Sequence, residues 1–323
     1  CRHRTSLALE ENSLDQPLWK ICVVPCKSNP TVHFALVLSM SHVFAGGSTF
    51  YNIHNTLTRY DEQIQKMVSD RVPNAEELKA NLFGQDALDF PVSNKLTHIF
   101  LKGAIQAWLT GSKVQQIILL IDNDEMNKKK QEYAAAASGS VPFVSTNDVL
   151  VSWFSQNSGS QYSFINVDTK GRLEEISNDL AGNYQHPVMY AAEDAATPAL
   201  IRQSLLMDMN KNKTMIRRVV TTDTVPSYFY TLFHVHYGMT TNWASFSKPA
   251  LLPHTGHNNN KRSIATEDLH LPFRDYQNFL PTTFTEMTIF RPSPGRTAIQ
   301  ITGHNIDWVR KNKPTFFSEE VLC

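Results

Sequence analysis

One histidine stands where the chain could place a general base. The apolar run Leu36-Val37-Leu38-Ser39-Met40-Ser41 leads into His42, and Gly46-Gly47 follow four residues later. A strand that delivers a histidine at its end, then a turn and a helix, holds an imidazole rigidly. A neutral imidazole with a pKa of about 6.5 is suited to taking a proton near neutrality. The glycines suit such a turn, because they permit positive φ and close approach of backbone or ligand. A strand-end histidine hydrogen-bonded in the core explains the same local residues, so they leave both readings open. His234 and His236 alternate so as to face one way on a strand, without a third metal ligand at a defined spacing. His254 and His257 fall in a polar loop. Asp122-Asn123-Asp124-Glu125 lacks the glycine and the spaced glutamate of a calcium loop and reads as a solvated helix start. Ser39 and Ser41 lack the glycines of a nucleophile elbow.

The elements that must position His42 are legible from pattern. Pro17 to Val24 reads as a strand bounded by prolines at 17 and 25, and Val32 to Ser41 as a second strand. The second is apolar on both faces at its centre, which predicts a strand covered on both sides. Phe50, Ile53, Leu57 and Tyr60 fall at helical spacing. Further helix is predicted over Asp61–Val68, Ala75–Leu82 and Leu96–Leu109, with a connector over Phe83–Ser93. Gln116–Asp122 reads as a strand and Glu125–Ala137 as a polar helix. Ser145, with Asp148 three residues on, has the pattern of a capping box before a helix carrying Val151, Trp153 and Phe154. Tyr162–Val167 and Gln185–Ala191 read as strands, with a turn at Lys170-Gly171. Thr197-Pro198 opens a further helix. Val225–Tyr237 suits a helix or, by its aromatics, a strand; Met239–Phe246 reads as a strand and Leu252–Leu269 as a loop. Phe284–Phe290 and Thr297–Ile301 suit an antiparallel pair, and Asn305–Lys311 a short helix.

The chain has 323 residues, 41% of them hydrophobic and 19% charged, so a sizeable core is available. The formal charge is zero, without the basic excess of a nucleic-acid binder. No apolar run reaches the ~18 residues of a membrane span. Cys1, Cys22, Cys26 and Cys323 make neither a disulfide framework nor a zinc pattern. Reduced thiols and a cytoplasmic location are therefore expected.

In order, four local motifs resemble the coenzyme-A-dependent acyltransferase superfamily, which includes the BAHD acyltransferases, chloramphenicol acetyltransferase and the peptide-synthetase condensation domains. Pro17-Leu18-Trp19 resembles the strand ahead of the active-site strand. Ser41-His42-Val43-Phe44-Ala45-Gly46-Gly47 resembles the His-x-x-x-Asp-Gly motif. Ser145-Thr146-Asn147-Asp148-Val149-Leu150 with Trp153 resembles the helix that opens S-x-N-D. Val167-Asp168-Thr169-Lys170-Gly171-Arg172-Leu173, then Gly182-Asn183, resembles the V-D-x-R-x-R-L strand and G-N turn. The chain departs from the pattern in two places: Gly46 stands for the aspartate and Lys170 for the first arginine.

The resemblance implies an α/β fold of two chloramphenicol-acetyltransferase-like subdomains, each a mixed sheet flanked by helices, the first truncated. The expected division is 1–82 for the subdomain with the histidine motif, 83–115 for a crossover connector and 116–323 for the second subdomain. It implies transfer of an acyl group from acyl-coenzyme A, or a carrier thioester, to a small hydroxyl or amine acceptor. His42 would be the general base. Gly46 and Gly47 would shape the turn, with Asp168, Lys170 and Arg172 supporting it. Ser41, Asn242 and Trp243 would line the substrate tunnel. No metal and no bound cofactor is implied, and acyl-coenzyme A is a co-substrate. The alternative is an inactive acyltransferase-like protein serving as a binding or structural subunit; truncation of the first subdomain would leave a place for a protein partner.

Overall fold

The computed structural model describes residues 19–30, 33–42, 45–58, 66–89, 94–208, 214–215, 235–248, 270–272 and 280–321. Strands β1 (Trp19–Pro25) and β2 (Phe34–Met40) form an antiparallel hairpin, with Trp19 opposite Met40 and Pro25 opposite Phe34. Helix α1 (Gly47–Thr58) follows the histidine segment. Helices α2 (Ala75–Phe83), α3 (Gln85–Asp89) and α4 (Asn94–Thr110) lead to β3 (Gln115–Ile121). Then come α5 (Asn123–Ala136), α6 (Thr146–Asn157), β4 (Tyr162–Asp168), β5 (Gln185–Ala191) and α7 (Pro198–Leu205). A two-residue pair, β6 (Met207–Asp208) and β7 (Thr214–Met215), precedes β8 (Tyr237–Asn242), β9 (Phe284–Phe290) and β10 (Ala298–Gly303). Helix α8 (Trp308–Lys311) and strand β11 (Phe317–Val321) close the described chain.

Seven strands form one mixed sheet in the order β11-β3-β10-β9-β8-β4-β5. Strand β8 runs parallel to both β4 and β9, and the other neighbours are antiparallel. The face carrying Ile117, Leu119, Met287, Ile289, Ile299 and Ile301 packs on Met126 of α5, Leu150 and Phe154 of α6 and Val309 of α8. A second cluster joins Ile165, Val167, Val188 and Tyr190 of β4 and β5 to Val151 of α6 and Ile201 of α7.

Helix starts are set where their capping residues lie. Ser145 accepts from the Asp148 backbone N–H, and the Asp148 carboxylate accepts from the Ser145 N–H at 2.7 Å, a complete capping box. Arg202 of α7 donates from Nε to the same Asp148 carboxylate at 2.9 Å and from a terminal nitrogen to Ser145 Oγ at 2.6 Å. Asp148 is fully buried, so this pair ties α6 to α7 where water screens it little. Thr197 caps α7 with Pro198 at its first position. Asp122 accepts from the backbone N–H groups of Asp124 and Glu125, so the acidic run at 122–125 is a helix cap.

Five expectations differ from the structure. Among the described residues strand β2 has only β1 as a strand neighbour, and Phe34 and Ala35 are exposed. Of the helix expected over Asp61–Val68, the described residues 66–68 are not helical; Val68 instead bridges to Leu180. The connector over Phe83–Ser93 contains α3, a turn and a half of helix. The strand expected to reach Phe246 ends at Asn242, after which residues 244–246 form a turn. Finally, β11 adds an edge strand where no element was expected. Most of Val225–Tyr237 and all of Leu252–Leu269 lie outside the described residues.

Helix α4 holds Gly103 so close to Pro281 and Thr283 that a Cβ there would stand 2.4 Å from the proline ring. The Gly103 carbonyl accepts the Thr282 N–H at 3.2 Å. Leu101, Ile105, Trp108 and Leu109 of the same helix are exposed.

Candidate functional site

His42 lies two residues past the end of β2 at Met40, exposed, with half-buried Ser41 between. Among the described residues the His42 ring makes no hydrogen bond. It is therefore not the core-bonded histidine that its local sequence also allows. Gly46 and Gly47 then start α1 under tight constraint. A Cβ on Gly46 would meet Asn183 Oδ1 at 2.9 Å and Asn183 Cα at 3.3 Å. A Cβ on Gly47 would lie 3.2 Å from Gln185 Nε2 and 3.8 Å from the Trp243 ring. At Gly46 two backbone segments meet closely, and any side chain there requires Asn183 to shift.

The first turn of α1 is held by a hydroxyl instead. Thr49 Oγ1 donates to the Gly182 carbonyl at 3.0 Å and accepts from the Gly182 N–H at 3.1 Å and from Lys170 Nζ at 3.1 Å. The Gly46 N–H donates to the same Gly182 carbonyl at 3.3 Å. Lys170 Nζ also donates to the Leu180 carbonyl. Burial pushes the Lys170 ammonium below the usual lysine range, and Asp168 and Asp179 oppose that shift. Asp168 accepts the Lys170 backbone N–H at 3.0 Å. Lys170 thus reaches the first turn of α1, and Asp168 contacts the Lys170 backbone. Arg172 turns elsewhere: its guanidinium donates to the Leu205 carbonyl at the end of α7, at 3.0 Å. Between the two cations Gly171, at a φ of 69°, turns the backbone.

Asn242 Nδ2 donates to Asn147 Oδ1 at 3.0 Å, joining the strand before Trp243 to the first turn of α6. Two motifs distant in sequence meet there. Trp243 lies beside Tyr51 of α1, ring centroids 6.0 Å apart. Behind Tyr51, the hydroxyl lies 3.1 Å from His270 Nε2, and His270 Nδ1 faces the Arg291 carbonyl at 3.1 Å. Since a carbonyl only accepts, Nδ1 carries the proton and Tyr51 donates. His54 stands against His270, and burial, with His270 adding to it, lowers the His54 pKa to about 4. This aromatic cluster was not read from sequence, because His270 is 216 positions from His54 and no spacing rule links them.

A further feature went unread. On the sheet face away from α5 and α6, Thr241, Thr288 and Gln300 occupy one row across β8, β9 and β10. Thr241, Thr288 and Gln300 are buried, and Gln300 Oε1 has no hydrogen-bond partner. A sheet face covered by protein is normally apolar, so such a row offers donors and acceptors in a dry setting. His236, in contrast, bonds through Nε2 to Thr285 Oγ1 at 3.0 Å; His234, His254 and His257 lie outside the described residues. Among the described residues no three His, Cys, Asp or Glu side chains assemble as a metal site. Nor, among them, is any helix long and apolar enough to cross a membrane.

Neither a protein-family model nor a curated protein matches the sequence. Solved structures do match the fold. TRI101 of F. graminearum, complexed with coenzyme A and deoxynivalenol, aligns with 96% of this chain and 72% of its own, with a TM-score of 0.56 and 15% identity. The same protein with coenzyme A and T-2 mycotoxin gives 0.54 at 14% identity, over 92% of this chain and 68% of its own. TRI101 of F. sporotrichioides, with coenzyme A and T-2, gives 0.50 at 14%, over 96% and 71%. The chain has the mixed α/β fold of these TRI101 structures. At this identity the likeness establishes the fold and nothing finer.

Proposed function

We propose that the protein transfers an acyl group from an acyl-coenzyme A, or a carrier thioester, to a hydroxyl or amine of a small acceptor. The observation that carries this reading is the fold shared over nearly the whole chain with TRI101 bound to coenzyme A and deoxynivalenol. His42, at the strand end ahead of α1, is the general base in this reading. Its imidazole takes the acceptor proton as the acceptor oxygen or nitrogen attacks the thioester carbonyl. The proton then passes to the departing thiolate. The oxyanion needs a donor in a dry site, and Ser41, Asn242 and Trp243 belong to the surrounding wall. Gly46, Gly47, Asp168 and Lys170 fix the turn after the histidine. The division at 1–82, 83–115 and 116–323 belongs to the same proposal, with the β1–β2 hairpin and α1 in the first unit.

A second reading is a binding or structural subunit of the same fold. What favours it is the exposed His42 ring, which no described residue orients. Two measurements separate the readings. Thiol release is followed with a panel of acyl-coenzyme A donors and hydroxyl or amine acceptors that includes deoxynivalenol and T-2. Coenzyme A binding is followed by calorimetry. Turnover supports transfer; binding with no turnover for any pair supports the subunit.

A further inference from the structure

Helix α4 has two dissimilar sides. One fastens it to the fold: Gly103 is buried against Pro281 and Thr283, and Thr282 Oγ1 donates to Gln106 Oε1 at 3.0 Å. The other carries Leu101, Ile105, Trp108 and Leu109, which a helix of 3.6 residues per turn gathers within about 100° of its circumference, opposite Gly103. Their exposures are 57%, 49%, 81% and 69%. Together they present on the order of 500 Å² of apolar surface, toward the upper end for a monomer's largest patch, which is often functional. The charge along this helix has one sign. From Asn94 to Val114 the chain holds Lys95, Lys102 and Lys113 and no aspartate or glutamate. Lys102 has an interaction within the fold. Lys113, three residues past the helix, is exposed.

We propose that α4 docks this face on an anionic phospholipid surface and lies in the plane of the interface. Among the described residues no helix is long and apolar enough to cross a membrane, so contact is by one face. Acyl chains take up the two leucines and the isoleucine, and the Trp108 indole sits at the level of the headgroups. The lysines extend along the helix flank toward lipid phosphates. A second copy of the chain is the poorer occupant: α4 laid on α4 sets lysine against lysine and brings no acid to either. The test needs no turnover, so its outcome is separate from that of acyl transfer.

The test is flotation of the full chain with vesicles of phosphatidylcholine alone and of phosphatidylcholine mixed with phosphatidylserine. Wild type is compared with the double variant Trp108→Ser, Leu109→Ser and with Lys113→Glu, all at exposed positions. Wild type is expected to bind the mixed vesicles roughly tenfold or more tightly than the neutral ones. The double variant loses roughly tenfold or more of that binding, and Lys113→Glu loses roughly fivefold. Unchanged melting temperatures verify that the variants remain folded. Absence of binding to the mixed vesicles overturns the proposal. So does equal binding to neutral vesicles, or binding that the double variant leaves unaltered. A wild-type dimer in sedimentation that the double variant dissolves assigns the face to a second copy and likewise overturns it.

Discussion

Lys170 Nζ donates to Thr49 Oγ1 at 3.1 Å, across 121 positions of sequence, and this contact ties the turn after β4 to the first turn of α1. The same hydroxyl holds both backbone groups of Gly182. A neutral oxygen thus does the bridging for which the resemblance implies a carboxylate at position 46. Replacing Thr49 with valine keeps the shape and removes all three contacts. The half-buried Gly182 N–H and the buried Lys170 ammonium then lose a partner each, at about 1–3 kcal/mol. Chemical denaturation is expected to show a loss of about 3 kcal/mol for Thr49→Val and about 1 kcal/mol for Thr49→Ser, which keeps the hydroxyl.

Gly46 is predicted to resist any side chain. The 2.9 Å approach of a Cβ to Asn183 Oδ1 requires Asn183 to move, and the 3.3 Å approach to its Cα requires the backbone to follow. Gly46→Ala is expected to cost about 2 kcal/mol by overpacking. Adding Asn183→Ala recovers part of that loss, because only the side-chain clash is relieved. A double-mutant cycle by denaturant unfolding measures the coupling; strict additivity would contradict the contact.

The Asp148–Arg202 pair makes the strongest stability prediction away from the site. Asp148→Ala removes the capping box and leaves Arg202 uncompensated at 14% side-chain exposure. The expected loss is about 3–5 kcal/mol. Arg202→Met alone leaves a fully buried carboxylate and costs a similar amount. The double variant, with no charge left to compensate, is more stable than the sum of the two losses implies.

Acid is expected to destabilise the fold before the carboxylates titrate. Burial lowers His54, His186 and His236 each to about 4. For His186 the nearby Lys79 lowers the value further, and Glu76 opposes it. A histidine held neutral when folded, and titrating at about 6.5 when unfolded, binds fewer protons folded between those values. The stability is therefore full above pH 6.5 and is lost as the pH falls toward 4. His186 is 5% exposed and packs on Phe83, and its contribution is at most about 3 kcal/mol. Melting temperature against pH should fall across this window, and His186→Leu should flatten the fall.

The elements around His42 were legible because local chemistry fixes them. The capping box at Ser145 and Asp148, Thr197-Pro198 and the apolar run before His42 each specify an element start or end within a few residues. What spacing could not show was contact at long range. Thr49 looks like any helix-surface threonine until Gly182 arrives from 133 positions away. Arg172 was assigned to the wrong neighbour because a motif gives a residue's type and not its direction. The apolar β2 predicted two covering layers, yet apolar content records what a strand can bury, and among the described residues this strand pairs with β1 alone. β11 was missed since Phe317-Ser318-Glu319-Glu320-Val321 carries three polar residues at a sheet edge, where one side needs no partner.

The central claim is that His42 is the base for acyl transfer. Initial rates of thiol release from the best acyl-coenzyme A and acceptor pair, for wild type and for His42→Ala, test it most directly. The prediction is a drop of roughly 100-fold or more in kcat for His42→Ala, with coenzyme A binding and melting temperature retained. Turnover unchanged by the substitution would contradict the account.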